Sequence, residues 1–376
     1  MIKTLVYCLF TTAIVIPGAQ AQITAAAHAG YDDNPFRLSN GFNPEGASFL
    51  DTQLDFEREF EGGISLDARL GRLFSENQDA NQTSYRATLA YERDASLFGK
   101  DSELLFHLRS AGLDRTFVSR NTGQIGQFGG ASIPDRFDRN SIELRARADV
   151  ELTDLWTLRL QGDARHRAYE SYESLGLSNL DYNQVFAHAR LRYQADDSVD
   201  AQIGGSLGQR VYDDRRGRAL NTGFINGTDL EFTYVNFDAS WEYQVHPGHE
   251  IRLAYSFDVR DDNVSGYYDT SLHRWRLRYR YRPSWGNRFT AEFEHRDFDY
   301  DNIPAALILD EEEGVAPNTG TSLSLTYDRR IVDEDDREVW LGASVTYDDF
   351  SSPNTAFNYD RWIFRLGVEV EFSPFG

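Results

Sequence analysis

The chain has 376 residues with 60 acidic and 38 basic side chains, giving a formal net charge of −22. That balance argues against nucleic acid as a partner, because phosphate binding needs a basic surface. Aromatic residues make up 14% of the chain although its mean hydropathy is −0.55. Strands with one face toward lipid and the other toward water produce this combination. The acidity indicates solvated loops and, in a pore, a bias toward cations or polyols.

Residues 1–21 have the pattern of a secretory signal peptide. Lys3 precedes the apolar stretch 5–16, which at about a dozen residues is too short to span a bilayer as a helix. A Pro-Gly break and a small-x-small pattern ending at Ala21 follow, as at a cleavage site. We predict cleavage after Ala21 and a single outer-membrane barrel over 22–376, with an uncleaved anchor helix as the alternative.

An alternation of period two predicts the fold. From 364 to 372, apolar side chains stand at every even position, with Arg, Gly or Glu between them. Such a segment forms a strand with two unlike faces. The pattern recurs along the chain and predicts an all-β fold, a transmembrane antiparallel up-and-down β-barrel of about sixteen strands within a range of about 14–18. The predicted strands are 23–31, 48–60, 63–75, 83–93, 102–117, 139–152, 155–170, 182–195, 198–212, 228–244, 249–261, 269–283, 287–300, 319–331, 337–349 and 358–373.

The predicted connections alternate between short turns and long loops, as in bacterial outer-membrane barrels. An even strand count places both termini on the periplasmic side. The segment 94–101 is the least regular short turn, and 213–227 is predicted as a long loop. Loop 118–138, which is rich in glycine, is our candidate for a constricting loop that folds inward. Shifts in the alternation near Asn236 and Arg296 predict β-bulges.

Charged side chains on the second face of many strands predict a polar lumen. The predicted basic lining comprises Arg145, Arg147, Arg159, Arg165, Arg167, Arg190, Arg192, Arg274, Arg276, Arg278 and Arg280. The predicted acidic lining comprises Asp51, Asp55, Glu57, Glu292, Glu294, Glu369 and Glu371. Separate basic and acidic walls would place a transverse electric field across the lumen and set its selectivity. The alternative is mutual neutralisation by Arg–carboxylate pairs across neighbouring strands.

Large aromatic residues near strand ends predict the girdles that anchor a barrel at the two membrane interfaces. The candidates are Trp156, Trp241, Tyr243, Trp275, Tyr281, Trp340 and Trp362. A sugar-stacking track within the lumen is the alternative interpretation of these rings.

The sequence predicts no enzyme, cofactor or metal. Cys8, the only cysteine, lies within the predicted signal peptide, so the mature chain has no cysteine metal site or disulfide. The acidic run 310–313 lacks the spacing of a calcium loop and is interpreted as a solvated loop. The histidines at 107, 166, 188 and 273 fall in no hydrolase motif, although a hydrolase at one rim remains an alternative.

Two short segments carry a resemblance to a known family. Residues 29–37, Ala-Gly-Tyr-Asp-Asp-Asn-Pro-Phe-Arg, resemble the opening of the beta-barrel porin 2 family, and 358–361, Asn-Tyr-Asp-Arg, resemble its usage before the last strand. Similar phrases occur in the barrels of exopolysaccharide exporters and of surface-lipoprotein assembly modifiers. The resemblance implies an outer-membrane barrel associated with capsule or exopolysaccharide production. It implies no named functional residues, and the chain lacks the helical repeat array of the exporters.

The expected function is a charged pore in the outer membrane of a Gram-negative cell, for small hydrophilic solutes or for polysaccharide secretion. The alternative from another class is a structural or assembly component of a polysaccharide or lipoprotein export system, with an occluded lumen. Expected partners are outer-membrane lipid and lipopolysaccharide, the barrel-assembly machinery, and the polysaccharide or small solute itself.

Overall fold

In the computed structural model, sixteen antiparallel strands form one closed barrel. The structure describes residues 21–39, 41, 44–119, 123–195, 198–220, 223–284, 286–300, 309–310, 314–315, 319–334, 336–352 and 358–373. The predicted signal peptide thus lies outside the described residues except for Ala21, and its cleavage stays a prediction. Within the described residues, no helix is long and apolar enough to cross a membrane.

The predicted fold class and strand number are confirmed. In chain order, strands β1 to β16 are Ala21–Asp32, Ala47–Phe60, Ile64–Ser75, Gln82–Leu97, Lys100–Arg115, Arg139–Thr153, Trp156–Tyr169, Tyr182–Ala195, Val199–Ala219, Gly223–His246, His249–Asp262, Thr270–Tyr281, Asn287–Tyr300, Thr319–Glu334, Arg337–Ser351 and Tyr359–Phe372. Two further hairpins of two-residue strands lie in connections, at Gln127–Phe128 with Ala131–Ser132, and at Leu309–Asp310 with Gly314–Val315.

The barrel closes where the first strand pairs with the last, from Ile23 opposite Phe372 to Asp32 opposite Ile363. Each strand otherwise pairs with its neighbours along the chain. We call the end at which β1 begins and β16 ends the turn end, because short turns join the strands there, and the opposite end the loop end.

One short turn was predicted less accurately than the rest. Strands β4 and β5 continue through most of 94–101 and pair up to Leu97 opposite Lys100. Only Phe98 and Gly99 turn the chain, with φ of 55° and 72°. A two-residue hairpin turn of this type needs positive φ at both central positions, which glycine adopts without strain.

The irregularities in strand pairing lie at other positions than those predicted. Asn236 and Arg296 both lie in unbroken register, so the bulges predicted there are wrong. Among the described strands, register shifts occur instead at five other places in four strand pairs, one of them between Val211 and Arg216. Beyond that shift, β9 and β10 continue as a hairpin through most of the loop predicted over 213–227.

Candidate functional site: the barrel interior

The two faces of the barrel wall have opposite chemistry. On the outer face apolar side chains are exposed, such as Leu366 at 68% and Leu144 at 57%. Arg145 stands next to Leu144 and, because side chains alternate along a strand, points to the inner face. Directly paired residues share a face, so the register assigns inner and outer positions around the whole barrel.

All eleven arginines predicted as basic lining lie at inner positions of β6, β7, β8 and β12. Nine of them form ion pairs with carboxylates on the same or nearby strands. We call these nine the ladder arginines: Arg145, Arg147, Arg159, Arg165, Arg190, Arg192, Arg276, Arg278 and Arg280. Of the other two, Arg167 lies 5.4 Å from the ring centre of Tyr182. Arg274 forms no ion pair with any described carboxylate.

Glu143 shows how the ladder is compensated. Its side chain is almost fully buried, and it accepts hydrogen bonds from Arg145 at 3.0 Å and from Arg165 at 2.9 Å. Arg109 lies 3.8 Å from the same carboxylate. A carboxylate among several guanidinium groups offsets their mutual repulsion. The predicted basic wall is therefore neutralised over much of its length.

The sequence predicted neutralisation only as an alternative, and the predicted acidic lining did not include the carboxylates that compensate most of the ladder. Asp149 accepts two hydrogen bonds of 2.8 Å from Arg159, and Glu250 accepts one of 3.0 Å from each of Arg278 and Arg280. Each acid stands an even number of residues from an arginine on the same strand, or directly opposite one, and so shares its face. The sequence signal for this pairing is an acidic residue at an even spacing from an arginine within an arginine-rich strand.

The seven acids predicted as lumen lining also lie at inner positions. Asp55 and Glu294 form ion pairs, with Arg69 and with Arg276. Thr24 pairs with Asp55 on one side and with Glu371 on the other, so the acidic strands β2 and β16 flank β1 at the turn end.

Six of the seven predicted girdle residues lie on the outer face, namely Trp156, Trp241, Tyr243, Trp275, Tyr281 and Trp362. Trp340 does not, and its placement is corrected. It pairs with inward-facing Arg330, its ring centre lies 5.2 Å from the Arg288 guanidinium, and its Nε1–H donates to Glu338 at 3.1 Å. The prediction relied on the preference of tryptophan for membrane interfaces. Trp340 is two residues from Gly342, which stands at an inner position of β15, so the two residues share the inner face.

The interior contains cavities at three levels. A cavity of about 950 Å³ lies at the turn end beside Trp340 and Arg288. A middle cavity of about 470 Å³ is lined by Arg276, Glu294 and Ser324 among others. A loop-end cavity of about 620 Å³ is lined by Arg115, Arg361 and Arg365 among others. Arg37 and Arg296 line both the middle and the loop-end cavities, so these two adjoin.

Aromatic side chains fill one side of the loop end. We call this the aromatic cluster: Phe137, Tyr169, Leu180, Tyr182, Tyr212, Leu230, Phe232, Tyr267 and Tyr268. Arg210 lies 4.3 Å from the ring centre of Tyr182, and Arg260 lies 4.9 Å from that of Phe232. Rings that are both buried and stacked on cations form a stable packed unit.

Loop 118–138 folds inward only in part. Its Phe137 belongs to the aromatic cluster, and its Arg136 donates to the carbonyl of Ser178 at 2.6 Å. Val118, Ser119 and Phe137 line the loop-end cavity, but no described residue of this loop lines the middle one. The segment that reaches the middle cavity is instead the β1–β2 connection, through Arg37.

The β1–β2 connection is tied to the start of the last strand by three contacts. Asp32 forms a two-pronged ion pair with Arg361, whose Nε donates at 2.9 Å. Asp33 accepts a hydrogen bond of 2.7 Å from the Trp362 amide and donates its own amide to the Trp362 carbonyl at 3.1 Å. We call these contacts, together with those of Asn34, the closure latch. They join the two segments that carry the family resemblance.

Asn34 fixes the turn that follows. Its side chain is almost fully buried, accepts from the Leu38 amide at 2.7 Å and donates to the Leu38 carbonyl at 2.7 Å. It also donates to the Asp360 carbonyl at 3.4 Å. Burial raises the pKa of the Asp33 carboxyl, and the neighbouring Asp32 and Asp360 raise it further against the hydrogen bond from Trp362.

Arg37 is held within this turn in a strained conformation. Its φ is 55°, in the left-handed region that side chains with a Cβ rarely adopt. Its amide donates to the Asn34 carbonyl at 3.0 Å, and the next residue, Leu38, is held on both sides by the Asn34 side chain. The backbone is therefore over-determined on both sides of Arg37.

A second group of inner arginines lies toward the loop end. We call it the loop-end arginine set: Arg37, Arg115, Arg139, Arg274 and Arg365. None of the five forms an ion pair with a carboxylate in the described part of the chain. Arg115 is close enough to Arg37 and Arg139 to be repelled by both, and it is attracted by Asp138, which accepts a hydrogen bond of 2.7 Å from the Arg115 amide. Arg365 lies 5.7 Å from the ring centre of Phe49.

The four histidines do not converge on a site. His107 and His188 lie at inner positions, whereas His166 and His273 lie on the outer face. In the described part of the chain, no group of three or more His, Cys, Asp and Glu residues could hold a metal ion. Most of the acidic run 310–313 lies outside the described residues.

Comparisons with known proteins give the fold and no family. No protein-family model matches the chain, and no curated protein matches it. The solved outer-membrane channel DcaP of Acinetobacter baumannii is similar, with TM-score 0.51 and 13% identity over 94% of this chain and 96% of that one. OprD of Pseudomonas aeruginosa has TM-score 0.46 and 12% identity, over 96% and 97%. A bacterial polysaccharide outer-membrane secretin has TM-score 0.42 and 11% identity, over 94% and 98%. At these identities the likeness to DcaP shows a shared barrel fold alone.

Proposed function

We propose that this protein is an outer-membrane pore for small hydrophilic solutes, with the turn end on the periplasmic side. The observation that carries the proposal is a closed barrel whose outer face is apolar and whose inner face is charged around large cavities. A wall of this kind suits lipid outside and water inside, and a barrel of about sixteen strands is normally wide enough for an aqueous channel. Loops folded over the loop end favour small solutes over a polymer.

Conductance tests this proposal. The refolded protein in planar bilayers should give stepwise ion currents, and liposomes that contain it should swell in a small sugar. A wild-type protein that neither conducts nor permits swelling would contradict the pore.

A cysteine pair supplies a matched control. Ser324 lines the middle cavity, whereas its neighbour Leu325 is exposed on the outer face. A charged thiol reagent should lower the conductance of Ser324→Cys and leave that of Leu325→Cys unchanged. Equal inhibition of both variants, or of neither, would count against an inner conduction path.

A second candidate function is favoured by the ion-pair layer. The pairs of Arg278 and Arg280 with Glu250 lie between the turn-end and middle cavities, and the aromatic cluster fills part of the loop end. A lumen blocked in this way would suit a structural component of a polysaccharide or lipoprotein export system. Absence of conductance, together with co-purification of such a system, would select this function over the pore.

A further inference from the structure

We propose that Arg37, Arg115 and Arg365, the members of the loop-end arginine set that line the loop-end cavity, form a binding site for anionic solutes, meaning those with a carboxylate, phosphate or sulfate group, and that Arg37 determines its specificity. For access of a solute from outside, the site rests on the proposed pore. The net charge of the whole chain would favour cations, but the charges are unevenly distributed between the lumen and the rest of the protein.

The charge balance reverses around the middle and loop-end cavities. Nine arginines and six carboxylates line the two cavities, in a chain whose formal net charge is −22. Asp32 and Glu294 are ion-paired, and so are five of the nine arginines, namely Arg252, Arg276, Arg278, Arg296 and Arg361. The loop-end cavity by itself is lined by six arginines and three carboxylates. An anion that enters from the loop end therefore meets a region of net positive charge, which raises its local concentration.

The loop-end cavity is distinguished by guanidinium groups that form no ion pair with a described carboxylate. Arg115 faces the like charges of Arg37 and Arg139. The Asp138 carboxylate lies near Arg115, but no described carboxylate forms an ion pair with any of the three arginines. Like charges held together in a partly desolvated space repel, and an anion between them relieves that repulsion. The planar fork of each guanidinium donates two parallel hydrogen bonds to a carboxylate, phosphate or sulfate.

The closure latch gives Arg37 a fixed place among these groups. The backbone of Arg37 is strained, and hydrogen bonds with Asn34 fix both its own amide and the amide and carbonyl of Leu38. Its side chain forms no ion pair with a described residue, yet it lines both adjoining cavities. Strain of this kind persists where the surrounding structure imposes it, and it is concentrated at binding sites.

The test measures ion preference and anion binding in the same set of proteins. Arg37→Asn removes the charge, and asparagine tolerates the left-handed backbone better than most residues. Arg93→Asn is the matched control, because Arg93 is an exposed arginine on the outer face of β4. Folding of each variant is checked by heat-modifiable migration in gels and by circular dichroism.

In planar bilayers with a KCl gradient, the wild type should pass chloride in preference to potassium. Arg37→Asn should lower the chloride-to-potassium permeability ratio by about threefold or more, because one fixed charge at a narrow place acts strongly on a passing ion. Arg93→Asn should leave the ratio unchanged. A wild type that prefers potassium, or an Arg37→Asn variant that matches the Arg93→Asn control, would overturn the proposal.

Calorimetry in detergent tests anion binding at the site independently of conduction through the pore. Inorganic phosphate should bind the wild type and Arg93→Asn alike, and it should bind Arg37→Asn about tenfold more weakly. Phosphate binding by a protein that does not conduct would leave the site standing and refute only the pore. Conductance without phosphate binding, or with equal binding by Arg37→Asn, would refute the site and leave the pore standing.

Discussion

The ladder arginines and the loop-end arginine set share the inner face of one barrel, but they differ in their partners. Arg159 donates two hydrogen bonds of 2.8 Å to Asp149, whereas Arg37 and Arg115 form no ion pair with a described carboxylate. A paired arginine mainly holds neighbouring strands together, and an uncompensated one keeps its attraction for a mobile anion. The comparison teaches that the number of arginines on a face says little about its field until their partners are known.

The largest expected effect comes from breaking the compensation of the ladder. Glu143→Gln removes the charge shared by Arg109, Arg145 and Arg165. Arg145 keeps its ion pair with Asp163, but Arg109 and Arg165 are left without a described ion-pair partner beside it. We expect a loss of about 3 kcal/mol in the free energy of unfolding, because uncompensated partly buried charges are costly. Urea-induced unfolding in detergent micelles measures this loss.

A matched control for Glu143→Gln is Asp299→Asn, which removes one negative charge at an exposed outer position. It should change the unfolding free energy by less than about 0.5 kcal/mol. Glu143→Gln should also raise the chloride preference in bilayers, because the ladder then resembles the loop-end arginine set. An unchanged preference would show that the ladder lies away from the conduction path.

The next effect tests the closure latch. Asp32→Asn removes the charge that pairs with Arg361, and we expect a loss of about 2 kcal/mol, as for a hydrogen bond between charged groups. Amide hydrogen exchange should quicken over 33–38 and remain slow in the ladder strands β6 to β8. Asp261→Asn, an exposed outer-face control, should leave both quantities unchanged. Protection of 33–38 that survives in Asp32→Asn would mean that the other latch contacts suffice.

A smaller effect tests the corrected position of Trp340. Trp340→Leu removes the ring that lies beside Arg288 and Arg330, and should cost about 1 kcal/mol in unfolding free energy. In single-tryptophan variants, Trp340 should be quenched by a water-soluble quencher and Trp362 by brominated lipid. The reverse pattern would return Trp340 to the outer girdle.

The smallest effect separates the strain of Arg37 from its charge. Arg37→Gly should stabilise the protein by about 0.5 kcal/mol, because glycine adopts the left-handed backbone without strain. Arg37→Ala keeps the strain and should show no such gain. Both variants should lose chloride preference equally, since both lose the charge. A difference in preference between them would mean that backbone geometry, and not charge, sets the selectivity.

The sequence by itself determined the barrel, the strand number and the inner or outer face of most residues. Period-two alternation is a local property of the sequence. Once the register is known, the face of one residue assigns the face of every other residue on the same and the paired strands. Trp340 was misplaced because residue type was given more weight than this parity. The bulges predicted near Asn236 and Arg296 failed for a different reason. The alternation changes there without a register shift, because Phe232 and Tyr234 point inward at the aromatic cluster and because Asp297 and Asp299 lie on the outer face.

Only the tertiary structure decided which charges are compensated. Arg190 pairs with Asp238, which is 48 residues away in the chain, and Asp32 pairs with Arg361 through closure of the barrel. Such partners depend on register and closure, which no local pattern specifies. The inward turn at Arg37 likewise depends on contacts with the last strand. The loop-end arginine set therefore became visible only when distant segments were brought together.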